Sequence, residues 1–122
     1  MVKRKKFKFF VRNIAVLTIV CTSNNTIIHV RHSKGSFVIS TGSVGLTGAR
    51  RSTVYAAQQA AFLVGSRLKE KKIGGVFLFF KGFGRGRKSV LRILKKKIKI
   101  LQLFDKTSIS HNGCRSPKKR RL

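Results

Sequence analysis

The sequence predicts one α/β domain: a mixed sheet of about five strands with two main helices, set between a basic N-terminal arm and an extended basic C-terminal tail. Three observations lead there. Residues 13–40 hold three short Val/Ile/Thr-rich segments separated by turn residues, the pattern of an antiparallel meander. Val54–Leu68 carries small and apolar residues at helical spacing. Val76–Phe80 is an unbroken apolar run of strand length, followed by a second helical pattern. A chain of 122 residues allows one domain, which is expected over 13–104, with the arm at 1–12 and the tail at 105–122.

Each element has its local cause. Asn13–Cys21 and Thr26–Arg31 read as strands joined by a Ser23-Asn24-Asn25 turn, because asparagine tolerates the left-handed region. Ser33-Lys34-Gly35 turns the chain into a third strand, Ser36–Ser40. Thr41–Arg51 is a glycine-containing loop, and Ser52 and Thr53 are both good caps for a helix over Val54–Leu68. The small face Ala57, Ala61 and Gly65 would let that helix approach a sheet closely, and Lys69–Lys72 suit its C-terminus. Gly74-Gly75 precedes the apolar strand, Lys81–Lys88 forms a basic glycine-rich loop, Ser89–Lys97 a short helix, and Ile98–Phe104 the last strand. Strand–helix–strand connections require right-handed crossovers, so the later strands run parallel.

Charge decides the class of partner. Lys and Arg number 29 against 2 acidic residues, for a formal charge of +27. Such a chain repels itself and needs a polyanion, while 42% apolar residues and 10 phenylalanines provide a core that a disordered basic tail lacks. Glu70 and Asp105 are the only carboxylate side chains, and nothing in their spacing brings them together, which argues against two-metal and glycosidase chemistry. Cys21 and Cys114 lie 93 residues apart; Cys21 ends an apolar run and reads as a buried thiol. No metal, cofactor or catalytic residue is expected, and no apolar stretch approaches a membrane span. The acid-free start, 1–12, reads as a phosphate-binding arm, with a targeting segment as the alternative.

Two loops carry the chemistry. Gly82, Gly84 and Gly86 alternate with Phe83 and Arg85 between a strand and a helix, flanked by Lys81, Arg87 and Lys88. Glycines let backbone N–H groups approach phosphate at a helix N-terminus. The dinucleotide fingerprint lacks its third glycine and its acidic partner, and the P-loop ending is missing, so RNA phosphate is favoured over a mononucleotide or simple turn chemistry. Gly45–Arg51, closing on Arg50-Arg51, has the same construction before the first helix, and the two loops should gather on one sheet edge as a phosphate-binding rim. His111-Asn112-Gly113-Cys114 is a turn signal; zinc there would need two further ligands, for which the chain offers only Cys21, His29 and His32. His29 and His32 read as a sheet-surface and a loop histidine. The basic run Arg115–Arg121 can follow RNA and gain order on binding; a nuclear localisation signal and a merely solvated tail are the alternatives.

Ser23-Asn-Asn-Thr-Ile-Ile28, the segment Thr41–Gln58, Lys81-Gly-Phe-Gly-Arg-Gly-Arg87 and His111-Asn-Gly-Cys-Arg-Ser-Pro-Lys-Lys-Arg-Arg121 fall in an order that closely resembles the small-subunit ribosomal protein eleven family. The resemblance covers essentially residues 13–121. It implies a three-layer α/β domain of ribonuclease-H-like topology without catalytic function, bound to small-subunit rRNA on the platform. Neighbouring platform ribosomal proteins, proximity to mRNA on its exit side, no membrane and no homo-oligomer belong to the same expectation. RNA contact is carried onto Asn24, Asn25, Arg50, Arg51, Lys81, Gly82, Gly84, Gly86, Arg87, His111, Asn112, Arg115, Lys118, Lys119, Arg120 and Arg121. Arg85 and Lys88 join them on charge and position.

The family loop usually has prolines where Phe83 and Arg85 stand, so a less stiff loop is expected here, and serines at 108, 110 and 116 replace family prolines in the tail. The Lys-, Phe- and Ile-heavy composition points to an AT-rich genome and a mitochondrial ribosome, ahead of a plastid or bacterial one. The rival classes are a free nucleic-acid chaperone, a nucleotide hydrolase using Gly82–Lys88, and a membrane-active cationic protein. The first would prefer no rRNA fragment. The second would need a metal-holding carboxylate, and the third one long amphipathic helix.

Overall fold

A computed structural model describes residues 13–122; the expected N-terminal arm at 1–12 lies outside them. The chain folds as β1 (Ile14–Cys21), β2 (Thr26–His32), β3 (Gly35–Ser40), two short 3-10 turns (Gly42–Val44 and Gly48–Ser52), α1 (Val54–Glu70), β4 (Gly75–Lys81), α2 (Arg87–Lys97) and β5 (Ile100–Asp105). The five strands form one sheet in the order β3-β2-β1-β4-β5. β1–β2 and β2–β3 pair antiparallel, while β1–β4 and β4–β5 pair parallel. The expected α/β class, mixed five-strand sheet and two helices are all present.

Alternation fixes which face is covered. Ala15, Leu17, Ile19 and Cys21 of β1 are buried while their intervening neighbours are half-buried. Register continues that face into Ile28 and Val30 on one side and Val76, Leu78 and Phe80 on the other. Ala57, Ala61, Val64 and Leu68 of α1 and Val90 and Leu94 of α2 close the same apolar cluster. Each fully buried large side chain, such as Leu17 or Leu78, stabilises by about 1.5–3 kcal/mol.

The layer count differs from the three layers that the resemblance implies. The connection β3–α1–β4 passes over β2 and β1, and β4–α2–β5 takes one more step in the same direction. Right-handed crossovers running the same way lay both helices on one face. The described residues therefore make two layers, with helices on one side of the sheet and an open face on the other.

Local boundaries moved where side chains take part in the backbone network. Thr53 is the cap of α1, accepting from the Ala56 N–H at 3.3 Å, whereas the Ser52 hydroxyl donates to the Ala49 carbonyl at 2.7 Å. Helix α2 begins at Arg87, two residues before expectation, and Ile98 caps it instead of opening β5. Ala57 and Ala61 do face the core, but a Cβ on Gly65 would meet the Lys97 side chain at 2.5 Å, so that glycine admits α2. The Lys97 ammonium lies over the Phe62 ring and donates to Ser66 Oγ at 2.8 Å; burial, then nearby Lys69, push its pKa down.

Candidate nucleic-acid interface

β1, β3, β4 and β5 all point the same way, so four strand C-termini reach one edge of the sheet. The β1–β2 turn, the Gly48–Ser52 turn, the 82–86 loop, both helix N-termini and the start of the tail meet there. They surround a cleft of about 700 Å³ lined by Thr22, Ser23, Asn24, Ser52, Gly82, Phe83, Gly84 and Arg85. The two loops expected to share an edge do share it.

The glycines of the loop have a different local task from the one expected. The Gly82 N–H donates to Thr107 Oγ1 at 3.1 Å, and the Gly84 N–H to the Cys21 carbonyl at 3.0 Å. A Cβ on Gly82 would run into the Cys21 carbonyl oxygen, and one on Gly84 into that of Thr22. At Gly86 the same atom would meet the Ala57 Cβ at 2.7 Å. Gly82 also holds φ at 86°, in the left-handed region. These two N–H groups bond protein rather than waiting for phosphate, and all three glycines allow the loop to lie against the β1–β2 turn and α1. The expected looseness of a proline-free loop is thus offset by packing and hydrogen bonds.

Arg87 closes the loop onto the tail. Its guanidinium donates from Nη1 to the Gly82 carbonyl at 3.0 Å and from Nη2 to Asp105 Oδ2 at 2.6 Å, and lies 5.0 Å from the Phe80 ring centroid. Asp105 Oδ1 accepts from the Thr107 hydroxyl at 2.6 Å and the Thr107 N–H at 3.0 Å. The Thr107 hydroxyl first, then Arg87, hold the Asp105 carboxyl down at about 2. The Lys106 N–H completes the clasp by donating to the Phe80 carbonyl at 2.8 Å. Asp105 and Glu70 stand at opposite ends of the sheet, Glu70 at the end of α1 beside Asn13 and Ile14.

Asn25 locks the neighbouring turn. Its side-chain carbonyl accepts from the Thr26 N–H at 2.9 Å and from the buried Thr41 hydroxyl, while its backbone oxygen accepts from the Thr22 N–H at 2.9 Å. Asn24 stands exposed at the tip. Arg50 and Arg51 are exposed on the turn before α1, and Arg85 and Lys88 flank the start of α2. Neither helix has an acidic residue in its first turn, so cations crowd the positive ends of two helix dipoles. That arrangement is unfavourable alone and favourable against an anion.

Residues 15–121 match the family model described as ribosomal protein S11. The chain belongs to the ribosomal protein S11 family. Among its relatives, small ribosomal subunit protein uS11m of Prototheca wickerhamii is 38% identical, the match covering 94% of this chain and 92% of the relative. Small ribosomal subunit protein uS11 of Aquifex aeolicus is 39% identical over the whole of both chains. The protein of that name from Mycoplasma genitalium is 36% identical over 99% of this chain and all of its own.

The S11 match runs through the tail, where the described residues show no hydrogen bond from 108–122 back to the domain. His111, Arg115 and Lys118–Arg121 are exposed, and Asn112 turns the chain with φ at 49°. Lys81, by contrast, does not face the cleft. It lies on the open sheet face with Val16, Thr18, His29, Arg31, Phe79 and Lys106, around a shallow groove of about 200 Å³. Cys21 is buried, its thiol pKa pushed up by burial, and Cys114 is exposed; both are free.

Sequence reasoning missed Thr22, Ser23, Ser52 and Phe83 in the cleft, the Asp105–Thr107 clasp, and Arg31 and Lys106 on the open face. Phe83, 79% exposed between two glycines, left a readable signal: an apolar ring in a basic loop has no core to enter. The clasp left none, because it joins residues whose spacing carries no motif.

Proposed function

We propose that this S11-family protein is a structural, non-enzymatic constituent of the small ribosomal subunit. It binds rRNA at the platform through the strand-end rim and the basic tail. The observation that carries this reading is the family match over residues 15–121, which spans both rim and tail. The rim supplies the physical reason: exposed Arg50, Arg51, Arg85 and Lys88 beside two helix N-termini without acidic residues. Arg87, Gly82, Gly84, Gly86 and Asn25 set the shape of that rim, whereas Asn24, Arg50, Arg51, Arg85 and Lys88 meet phosphate. Lys81 meets RNA from the open face. The tail, with His111, Asn112, Arg115 and Lys118–Arg121, orders along RNA after the domain docks.

Neighbouring platform proteins and mRNA near its exit path complete the setting, and the compartment we assign is the mitochondrion. Its relatives include a protein named for the mitochondrial type and others named for the bacterial type. The test is sedimentation of organelle and whole-cell lysates through a high-salt gradient, following this chain by mass spectrometry. Stoichiometric co-migration with the mitochondrial small subunit is expected. Co-migration with another compartment's subunit would overturn the location alone. Material at the top of the gradient would overturn the ribosomal role and favour a free chaperone.

A further inference from the structure

At the opposite end of the sheet from the rim lies a second basic concavity, of about 350 Å³, between the β2–β3 turn and the end of α1. His32, Lys34, Lys71 and Lys72 line it, with Glu70 as its single carboxylate. Its hydrogen bonding is incomplete in a specific way. His32 Nδ1 accepts from the Lys34 N–H at 3.1 Å, which leaves the ring proton of a neutral imidazole on Nε2. Nε2 faces the Lys71 ammonium at 2.9 Å, so two donors meet with no acceptor between them among the described residues. The Phe37 ring, 5.1 Å from the Lys71 ammonium, holds that side chain in place.

Lys72 adds an independent observation. It sits at the C-terminal turn of α1 with φ at 52°, a left-handed position that favours glycine. A lysine there is strained where glycine would relax, yet it places another cation on the concavity. Ordinary charge complementation at a helix C-terminus accounts for basic residues, but it needs neither the strained backbone nor the His32–Lys71 donor pair.

We propose that this pole is a second RNA phosphate seat, in which a phosphodiester oxygen accepts from His32 Nε2 and Lys71 while Lys34 and Lys72 neutralise its neighbours. The rim and this pole are separated by the length of β1, roughly 25 Å at about 3.3 Å per residue. The protein then braces two RNA segments across its sheet instead of holding one. The inference rests on the rRNA-binding reading above.

The test uses the full chain and an in vitro transcript of the small-subunit rRNA, with salt-titrated binding and hydroxyl-radical footprinting. The variant Lys34→Gln/Lys71→Gln/Lys72→Gly is compared with the rim variant Arg50→Gln/Arg51→Gln. The pole variant is expected to lower the salt slope by about 2, at about 0.7–0.9 per lost phosphate contact. It should also lose a footprint that the rim variant keeps. Lys72→Gly alone should raise the melting temperature while weakening RNA binding, a pair of opposite effects that a purely structural lysine would not give. Normal binding with an unchanged slope and footprint would overturn the second seat alone. Loss of incorporation into subunits with an unchanged RNA slope would overturn it too, in favour of an acidic protein partner. Absence of rRNA binding by the unaltered chain would overturn both readings together.

Discussion

The glycine-rich loop and the C-terminal tail are both rich in lysine and arginine and leave from the same sheet edge, yet they are built in opposite ways. The loop is bonded inward at Gly82, Gly84 and Arg87, and Gly82 and Gly84 lie so close to neighbouring carbonyls that a Cβ on either would collide with them. Among the described residues, 108–122 make no such bonds, and their side chains are exposed. Two equally basic segments therefore differ in how the domain holds them. One element is held by the domain's own hydrogen bonds and the other is not; on the function proposed above, the first meets RNA already shaped and the second takes its shape from the RNA. Asp105, Lys106 and Thr107 mark the border, because among the described residues the last hydrogen bonds back to the domain are theirs.

The sharpest way to break this contrast is Gly84→Ala. Its Cβ would land on the Thr22 carbonyl, and we expect a loss of about 2–4 kcal/mol in urea denaturation, from overpacking and backbone displacement. An alanine accommodated within about 0.5 kcal/mol would show that the loop is not held as described. Removing residues 118–122 should do the reverse. Stability stays within about 0.5 kcal/mol, while the slope of log affinity against log salt falls by roughly 3, at about 0.7–0.9 for each of four lost phosphate contacts.

Arg87→Lys should sit between these. It keeps a charge but loses the fork that reaches both Gly82 and Asp105. Because the pair is partly exposed, solvent screening limits the expected destabilisation to about 1 kcal/mol, read from thermal melts. The smallest effect is on pH. With its carboxyl held at about 2 instead of the usual 3.8, Asp105 contributes its full stabilisation above about pH 4 and loses it as pH falls through 2. The Thr107 amide resonance in an NMR titration should report a midpoint near 2, and a midpoint near 3.8 would mean that the clasp is open in solution.

Much of the fold was legible because strand alternation and helical spacing are local signals. Leu17, Ile19, Val76 and Leu78 declared a buried sheet face, and Ala57, Ala61 and Leu68 a helix upon it. The layer count was not legible from those residues, since it depends on the direction of two crossovers. At the candidate site, Asn24, Arg50, Arg51 and Arg85 are exposed where expected. The inward roles of Gly82, Gly84, Asn25 and Arg87 were not, because a glycine needed for phosphate and one needed for a neighbouring carbonyl look the same in a sequence. Lys81 illustrates the period of two: one residue after the buried Phe80, its side chain emerges on the open face.

Amide hydrogen exchange on the free chain and on its complex with small-subunit rRNA tests the contrast most directly. The Gly84, Arg87 and Lys106 amides should be protected before RNA is added, while the amides of 108–121 exchange freely and become protected only in the complex. Free exchange at Gly84 and Lys106 without RNA, or a tail still unprotected in the complex, would contradict the account.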